Sequence, residues 1–404
     1  MNFTAKPYTQ GKITVISGPV ESGKTQTIES TLDAWTDSGY KNGSNYLVAR
    51  HPQDDPNPEM IGKHKVLVTP DVHDIYNKIT PHTRHIIIVG ASFYKDPSIV
   101  ELADAIARGN RNLITSGLNL NTQGQPHDFM PDLMAIADEV ILQKGICIHP
   151  QCHYENSNRS IILNEEYKPA CTHHAHYPNS PPISSANQGS LELFVGPMYS
   201  GKSTSWRREL EKAKTSGLEP IIFKWTNDAR YGEIKRELFE EGDVYLHNGS
   251  SIKAISIGNA EHILEYLKKN PDKREVFIDE IQFITNSYNL CLELLSQGYH
   301  FHVTGLPRGF NRKPFGEVPK LMCLADKINY NYANCRSCFH PATDNQRMKK
   351  IGNHIEPAHI DDPLVAVGGS DNDMVEFYYE ARCLADWELK GEPTNPFYLK
   401  KYKP

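Results

Sequence analysis

The feature that most restricts how this chain can fold is an internal repeat. The segment GPVESGKT at 18–25 returns as GPMYSGKS at 196–203. Downstream landmarks keep a constant spacing of 188 residues, and a tyrosine four residues before a cysteine is shifted by 212. We therefore predict two copies of one domain. The matched pairs are Gly117 with Gly305, Leu118 with Leu306, Ala137 with Ala325, Asp138 with Asp326, Cys147 with Cys335, and Tyr167 with Tyr379.

Length and composition suit this organisation. The chain has 404 residues, of which 39% are hydrophobic and 23% charged, as in a soluble protein of two domains. The repeat predicts a first domain at 1–176, a Pro- and Ser-rich linker at 177–188, a second domain at 189–390 and a tail at 391–404 that extends over the surface. The net charge of −6 argues against a nucleic-acid partner. We expect no secretory signal and no membrane partner, and hence a cytoplasmic location.

The sequence of each copy predicts a strand, a glycine-rich loop and a helix, in that order. In the second copy, the apolar segment LELFV at 191–195 precedes the loop and a helical pattern follows it. Further strands are predicted at 220–223, 275–279 and 299–305, separated by helical segments. Strands that alternate with helices indicate an α/β fold with two tandem parallel-sheet domains.

The repeated G-x4-G-K-[ST] motif predicts a phosphate-binding loop, because its backbone N–H groups and the following helix N-terminus attract phosphate oxygens. The lysine supplies positive charge to the phosphates, and the serine hydroxyl helps to hold Mg²⁺. The alternative is a chance glycine-rich turn. The motif alone does not distinguish an ATPase, a GTPase and a kinase. The candidate phosphate contacts, which the resemblance described below assigns to ATP, are Gly196, Pro197, Met198, Tyr199, Ser200, Gly201, Lys202 and Ser203. The first copy could also bind nucleotide, through Gly18, Gly23, Lys24 and Thr25.

A second motif places two carboxylates at the end of an apolar strand. In VFIDEIQF at 276–283, Asp279 would engage Mg²⁺ together with Ser203, and Glu280 would accept the proton of an attacking hydroxyl. Ligands usually bind at this end of the strands in α/β sheets. The alternative is an acidic strand end that simply faces solvent.

These motifs resemble those of the thymidine kinase family, whose members share a small P-loop domain and a zinc-bearing lasso. The family's GPMxSGKS matches 196–203 and its DExQF matches 279–283, and a K-x3-D-x-R-Y segment begins at Lys224. A segment with the pattern G-L-x3-F-N-R-K-P-F-G, at 305–316, matches the part that surrounds the base. The resemblance covers about 190–387. It implies an ATP-dependent kinase that transfers the γ-phosphate to the 5′-hydroxyl of thymidine.

The resemblance also implies residue roles. Glu280 would be the general base, and Arg230 and Gln282 would join the ATP site. The nucleoside pocket would be formed by Met198, Leu306, Phe310, Phe315 and Tyr379. Family members usually form dimers or tetramers, so we expect a homo-oligomer in which the fused pair acts as an internal dimer.

The match departs from the family in two places. Pro307, Arg308 and Gly309 stand where acidic or small residues are usual, which would alter the shape of the loop. The lasso between Gly368 and Cys383 is about six residues longer than usual, so the alignment of Tyr379 depends on where that insertion lies.

The cysteine spacing predicts two structural zinc sites, one at the end of each copy. In the first copy, His149 competes with Cys147 as a ligand because it restores the shorter spacing, although the repeat favours Cys147. In the second copy, Asp386 is an unusual fourth ligand and His340 is a possible substitute. The predicted ligands are Cys147, Cys152, Cys171 and His174 in the first site, and Cys335, Cys338, Cys383 and Asp386 in the second.

The first copy has lost the residues that carry the chemistry, and we predict that it is a pseudokinase. The segment IVGASF at 88–93 stands where the second copy has IDEIQF. Either Asp54 or Asp55 keeps one aspartate of the D-x-R-Y segment. The replacements are Val89 for Asp279, Gly90 for Glu280, Thr122 for Phe310 and Pro56 for the arginine. Two alternatives to a thymidine kinase remain: a kinase with altered nucleoside specificity, and a nucleotide-binding regulatory protein without kinase activity.

Overall fold

The computed structural model describes residues 10–150, 152, 157–163, 165–177, 188–225, 241–245, 251–365 and 375–402, with backbone alone for 241–245, 251 and 375. Most of the predicted linker, Arg230 and Gly368 lie outside the described residues. In the described part, no helix is both long and apolar enough to span a membrane.

The first half forms a six-stranded parallel sheet in the order β5-β2-β6-β7-β1-β8, with helices on both faces. A short 3-10 helix, Ala91–Phe93, follows β6. The strands are β1 (Ile13–Ser17), β2 (Tyr46–Arg50), β3 (Met60–Ile61), β4 (His64–Lys65), β5 (Leu67–Val68), β6 (His85–Val89), β7 (Asn112–Gly117), β8 (Glu139–Leu142), β9 (Arg159–Leu163) and β10 (Glu166–Ala170). The helices are α1 (Lys24–Asp37), α2 (Val72–Lys78), α3 (Ser98–Arg108), α4 (Met130–Ile136) and α5 (Thr172–His176).

The second half repeats this plan in a seven-stranded sheet of order β13-β14-β12-β15-β16-β11-β17, in which only β13 is antiparallel. A 3-10 helix, Ile281–Phe283, follows β15. The strands are β11 (Ser190–Val195), β12 (Ile221–Trp225), β13 (Glu241–Tyr245), β14 (Ser251–Ile257), β15 (Glu275–Ile278), β16 (His300–Gly305), β17 (Lys327–Tyr330), β18 (Ala333–Asn334), β19 (Pro341–Ala342), β20 (Asp344–Ile351), β21 (His354–Pro357) and β22 (Val375–Arg382). The helices are α6 (Lys202–Thr215), α7 (Ala260–Lys269), α8 (Ser287–Ser296) and α9 (Val318–Leu324). The predicted α/β fold is confirmed.

The two halves pack against each other through one continuous hydrophobic core. Helices α4 and α9 occupy equivalent positions in the repeat, each has a proline as its second residue, and they lie side by side. Met134 of α4 contacts Cys323 of α9, with 3.6 Å between the sulfur atoms. Because this core cluster contains buried residues of both sheets, the halves share a core as well as a surface.

Polar side chains cap the carboxyl ends of α4 and α9 from across the interface. Asn119 and Asn158 of the first half donate hydrogen bonds to the carbonyls of Cys323 and Leu324, at 2.8 and 2.9 Å. In the opposite direction, Arg308 reaches the last carbonyls of α4. The last carbonyls of a helix lack partners within the helix, so each half satisfies backbone groups of the other.

The tail does not stay on the second half but runs back across the first. The side chain of Phe397 is buried between the rings of His73 and Tyr76. The backbone of the tail also binds the first half, since Arg111 donates to the carbonyl of Lys400 at 2.7 Å. Sequence reasoning predicted a surface extension and gave no sign of this docking.

Candidate active site

The phosphate-binding loops of both halves have the same backbone shape. Tyr199 and Gly201 adopt left-handed conformations with φ of 64° and 80°, and Glu21 and Gly23 match them with 55° and 89°. Each loop begins at a glycine that is pressed against the chain, because a Cβ on Gly196 would lie 2.1 Å from the carbonyl oxygen of Asn331. The motif therefore folds as predicted, with α1 and α6 starting directly behind the loops.

The lysines of the two loops fold back onto loop carbonyls. Lys202 donates to the carbonyl of Pro197 at 2.8 Å. Lys24 donates to the carbonyl of Gly18 at 3.1 Å, and burial lowers the pKa of its ammonium to about 8, against the opposing effect of Asp54. Both cations thus lie within the loop that would enclose phosphates.

The carboxylates of the second half lie at the carboxyl end of β15, two strands away from the phosphate loop. Thr304, on the intervening strand β16, connects them: its hydroxyl donates to Asp279 at 2.6 Å and accepts from the backbone N–H of Glu280 at 3.0 Å. Glu280 has a left-handed backbone with φ of 56°, which turns the chain sharply after Asp279. A buried threonine thus fixes the position of both acidic residues.

Gln282 links the carboxylate of Glu280 to the next loop. Its amide N–H donates to Glu280, and its amide oxygen accepts from the backbone N–H of Leu306 at 3.2 Å. A contact between Gln282 and ATP stays a prediction. In the structure, this side chain joins the candidate base to the loop that carries the predicted nucleoside contacts.

Three of the predicted nucleoside residues, Met198, Phe310 and Tyr379, lie at one face of the β20–β22 sheet. Met198 reaches it from the phosphate loop, because its backbone N–H donates to Asn345 of β20 at 2.7 Å. Tyr379 lies opposite Arg347 in the same sheet, and the guanidinium of Arg347 covers the ring of Phe310 at 3.5 Å. The ring of Phe310 is only 3% exposed. One face of the predicted stacking aromatic is therefore occupied by an arginine, and little of the ring is left accessible.

Two aromatic residues without a predicted role pack next to Phe315. Trp225, at the end of β12, stacks on Phe283 with ring centres 4.6 Å apart. Phe283 in turn meets the ring of Phe315 edge-on at 5.5 Å. Their signal in the sequence was positional, since Trp225 ends a strand and Phe283 closes the DEIQF segment.

The site of the first half has the same frame without the carboxylates. Gly90 follows β6 with φ of 75°, as Glu280 follows β15, and the same 3-10 helix comes next. The hydroxyl of Ser92 accepts from the backbone N–H of Leu118 at 3.1 Å, as Gln282 does for Leu306. The structure therefore confirms that Val89 and Gly90 occupy the positions of Asp279 and Glu280.

The space of the missing base is filled by Asp54. A Cβ on Gly90 would lie 2.8 Å from the Cβ of Asp54. Buried Arg50 holds that carboxylate with its Nε at 2.8 Å and binds Asp55 with a terminal nitrogen at 3.0 Å. Both aspartates thus take part in an ion-pair cluster.

The two halves also differ in the strands that connect their cysteines. In the second half, β20 and β22 are eight residues each and carry Arg347 and Tyr379. In the first half, β9 and β10 have five residues each and form a hairpin. This hairpin explains why the repeat offset changes from 188 to 212 before Tyr167, whose side chain is 55% exposed.

Each half brings four potential metal ligands together, with all ligand atoms of a group within 4.8 Å of one another. The groups are Cys147, Cys152, Cys171 and His174, and Cys335, Cys338, Cys383 and Asp386. In the first group, Nδ1 of His174 lies 3.2 Å from the sulfur of Cys171. In the second, an oxygen of Asp386 lies 3.2 Å from the sulfur of Cys335. Three sulfur atoms with a nitrogen or an oxygen are suitable donors for zinc, so both groups could hold it.

In each group the structure includes one of the two alternative ligands that the sequence left open. In the first group, Cys147 supplies the sulfur, and His149 stacks on His174 with ring centres 3.9 Å apart. In the second group, Asp386 is the fourth donor and His340 is not part of the set.

One comparison with known proteins bears on this arrangement. The family model described as "Thymidine kinase" matches the chain twice, over residues 11–175 and over residues 189–385. The two matches coincide with the two sheets and include all six cysteines of the two groups, and the second match ends one residue before Asp386.

Proposed function

Because the chain belongs to the thymidine kinase family, we propose that its second half transfers the γ-phosphate of ATP to the 5′-hydroxyl of thymidine. The observation that carries this proposal is the frame formed by the phosphate loop, Asp279 and Glu280, which is complete in the second half and has lost both carboxylates in the first. One active site per chain follows. The reaction would supply a precursor for DNA synthesis.

The chain's own groups divide the chemistry of this transfer. Lys202 would leave the carbonyl of Pro197 to bind the phosphates, together with the N–H groups of the loop. The hydroxyl of Ser203 and the carboxylate of Asp279 are oxygen ligands of the kind that Mg²⁺ prefers. The ion would accompany ATP and neutralise phosphate charge. Arg230, outside the described residues, is proposed to stabilise the charge on the transferring group.

Glu280 is proposed as the general base. The side-chain amide of Gln282 donates to the carboxylate of Glu280, and the backbone N–H of Glu280 donates to the hydroxyl of Thr304. The carboxylate would therefore be held in place when it accepts the proton of the 5′-hydroxyl, while that oxygen attacks the γ-phosphorus. Because Gln282 also binds the backbone of Leu306, the base and the nucleoside pocket are positioned by a single side chain.

The nucleoside would lie between the phosphate loop and the β20–β22 sheet. Met198, Leu306, Phe315 and Tyr379 offer apolar and aromatic surface there, and Phe310 backs this surface. Thymidine is the proposed nucleoside because the segment around the base matches the family's pattern.

The first half is proposed to be a pseudokinase. It has neither the base nor the Mg²⁺ aspartate, and Asp54 fills the space that a glutamate at Gly90 would need. Its phosphate loop keeps the shape of the active one, so nucleotide binding without transfer is a possible role. Structural zinc is proposed for both cysteine groups.

A matched pair of lysine variants tests these assignments. Purified protein is incubated with Mg-ATP and each nucleoside in turn, and 5′-monophosphate is measured. Lys202→Ala should abolish turnover, whereas Lys24→Ala, the same change in the first half, should keep most of it. Comparable losses in both variants would contradict the assignment of the active half.

The base is tested separately. Glu280→Gln should lower kcat by about 10²–10⁴-fold, the usual contribution of a general base. The exposed Glu211→Gln on α6 is the control for loss of a carboxylate. The absence of product from any nucleoside with the unchanged protein would refute the kinase and favour the alternative of a nucleotide-binding regulator.

A further inference from the structure

The loop that carries Phe310 and Phe315 runs from the end of β16 to the start of α9, at residues 306–317, and it is held in place from the first half. Within the loop, the N–H of Gly309 donates to the carbonyl of Lys313 at 2.9 Å, and the N–H of Arg312 to the carbonyl of Gly309 at 3.1 Å. The loop of the first half has the same hydrogen bonds at positions 188 residues earlier. The loop that contains Pro307, Arg308 and Gly309 therefore has the same hydrogen-bonded shape as its counterpart in the first half.

One position in this shared shape is filled by different residues in the two halves. Arg312 has a left-handed backbone with φ of 59°, and its counterpart is Gly124 with φ of 76°. A residue with a Cβ is unfavourable in this conformation, and glycine is the residue that suits it. An arginine in such a place indicates that its side chain has a task that outweighs the backbone cost.

The side chain of Arg312 crosses to the first half. Its guanidinium lies 2.9 Å from a carboxylate oxygen of Asp104 on α3 and 2.6 Å from Asp344 on β20. Arg312 and Asp344 are almost completely buried. For Asp104, burial alone would raise the pKa of the carboxyl, but Arg312 and Arg108 lower it overall, so the carboxylate is charged.

A second connection from the first half reaches the backbone of Phe310. The indole N–H of Trp387 donates to the carbonyl of Phe310 at 3.1 Å. The ring of Trp387 is contacted by Arg312 and also by Arg108 of the first half, with guanidinium carbons 5.6 and 5.2 Å from its centre. Arg108 is itself bound to Asp104. Asp104 therefore contacts both cations that pack on the indole.

We propose that Asp104, in the half without catalytic residues, is a positioning residue for nucleoside binding in the other half. Through Arg312 and Trp387 it holds the 306–317 loop in the conformation in which Phe315 would line the proposed pocket and Phe310 would back it. The first half then acts as a built-in support for the substrate site. This inference rests on the proposed function for the identity of the ligand.

The test uses the full chain with three carboxylate variants. Asp104→Asn should raise the KM for thymidine about tenfold, because a hydrogen bond between charged groups is lost, while kcat and the KM for ATP change less than about threefold. Asp104→Glu keeps the charge and should restore much of the affinity. Asp128→Asn is the matched control, since Asp128 pairs with Lys95 inside the first half. A thymidine KM in Asp104→Asn equal to that of the control, or a loss confined to kcat, would overturn the proposal.

A second variant keeps the test decisive if Asp104→Asn does not fold, as judged by thermal melting. Arg312→Gly introduces the residue that the first half has at this position, so the loop backbone is preserved. Thymidine binding measured by calorimetry should weaken about tenfold, and unchanged binding would refute the proposal. Calorimetry also separates the two hypotheses. If the unchanged protein binds thymidine without phosphorylating it, the proposed function fails while the role of Asp104 is still measured.

Discussion

Arg308 offers the most direct test of how strongly the two halves depend on each other. Its side chain is fully buried, and its Nε lies 2.7 Å from an oxygen of Asp344, an ion pair that is not aligned as a hydrogen bond. One terminal nitrogen donates to the carbonyls of Ala135 and Ala137 in the first half, at 2.7 and 3.1 Å. The other donates to Thr343 in the second half at 2.9 Å. Arg308→Met would keep much of the volume and remove all of these interactions.

The expected cost follows from what each partner retains. Breaking a buried ion pair costs about 3–5 kcal/mol, and the lower end applies because Arg312 still neutralises Asp344 at 2.6 Å. Ala137 keeps a second donor, the hydroxyl of Tyr330 at 2.8 Å, whereas Ala135 and Thr343 each lose the donor from Arg308, which adds about 1 kcal/mol for each carbonyl. The free energy of unfolding should therefore fall by about 5 kcal/mol.

Urea unfolding followed by tryptophan fluorescence measures this loss. Trp35 reports on the first half, and Trp206, Trp225 and Trp387 report on the second. Because the halves share a core, we expect the fluorescence to change in one transition. The exposed Arg208→Met on α6 is the control, with an expected change below about 0.5 kcal/mol. If Arg308→Met unfolds within about 1 kcal/mol of the unchanged protein, the buried contacts of Arg308 do not join the halves as inferred.

Two further predictions concern a pH dependence and a metal site. His302 lies between the carboxylates of Glu192 and Glu275, at 3.0 and 3.3 Å; burial would lower its pKa, but these hydrogen bonds raise it to about 9. Because the pKa of His302 is higher in the folded state than the ordinary 6.5, its protonated ring stabilises the fold by up to about 3 kcal/mol. This contribution is complete below pH 6.5 and is lost as the pH rises through about 9. The free energy of unfolding of the unchanged protein should exceed that of His302→Gln by more at pH 6 than at pH 9.5. A difference in free energy that is the same at both pH values would contradict this account. Asp386→Cys should make the second zinc site resist chelators better, because a thiolate is a softer ligand than a carboxylate, and zinc release as easy as in the unchanged protein would argue against Asp386 as a ligand.

The parts of the site that depend on local chain geometry could be predicted from the sequence. A glycine-rich loop between a strand and a helix commonly binds phosphate. The carboxylates after β15 lie at the carboxyl ends of the parallel strands, on the same side of the sheet as this loop. The comparison of the two copies was equally informative. It identified Val89 and Gly90 as the replacements for Asp279 and Glu280, and the structure confirms this register.

Contacts between residues distant in sequence could not be predicted. The pairing of Asp104 with Arg312 depends on how the halves pack, and nothing in either local pattern indicates the partner. The role of Arg308 was hidden for the same reason, since only the buried interface shows that an unusual loop residue binds the end of α4. Likewise, the lost glutamate at Gly90 was visible in the sequence, but its replacement in space by Asp54 was not.

The docked tail sets an order for the assembly of this molecule. Residues 391–402 are made after both sheets, yet Phe397 and its neighbours cover helices α2 and α3 of the first one. During synthesis, the first domain would therefore wait with an apolar groove open until the second had left the ribosome. The tail would then dock on the first domain, which would complete its packing only after the second domain had been made.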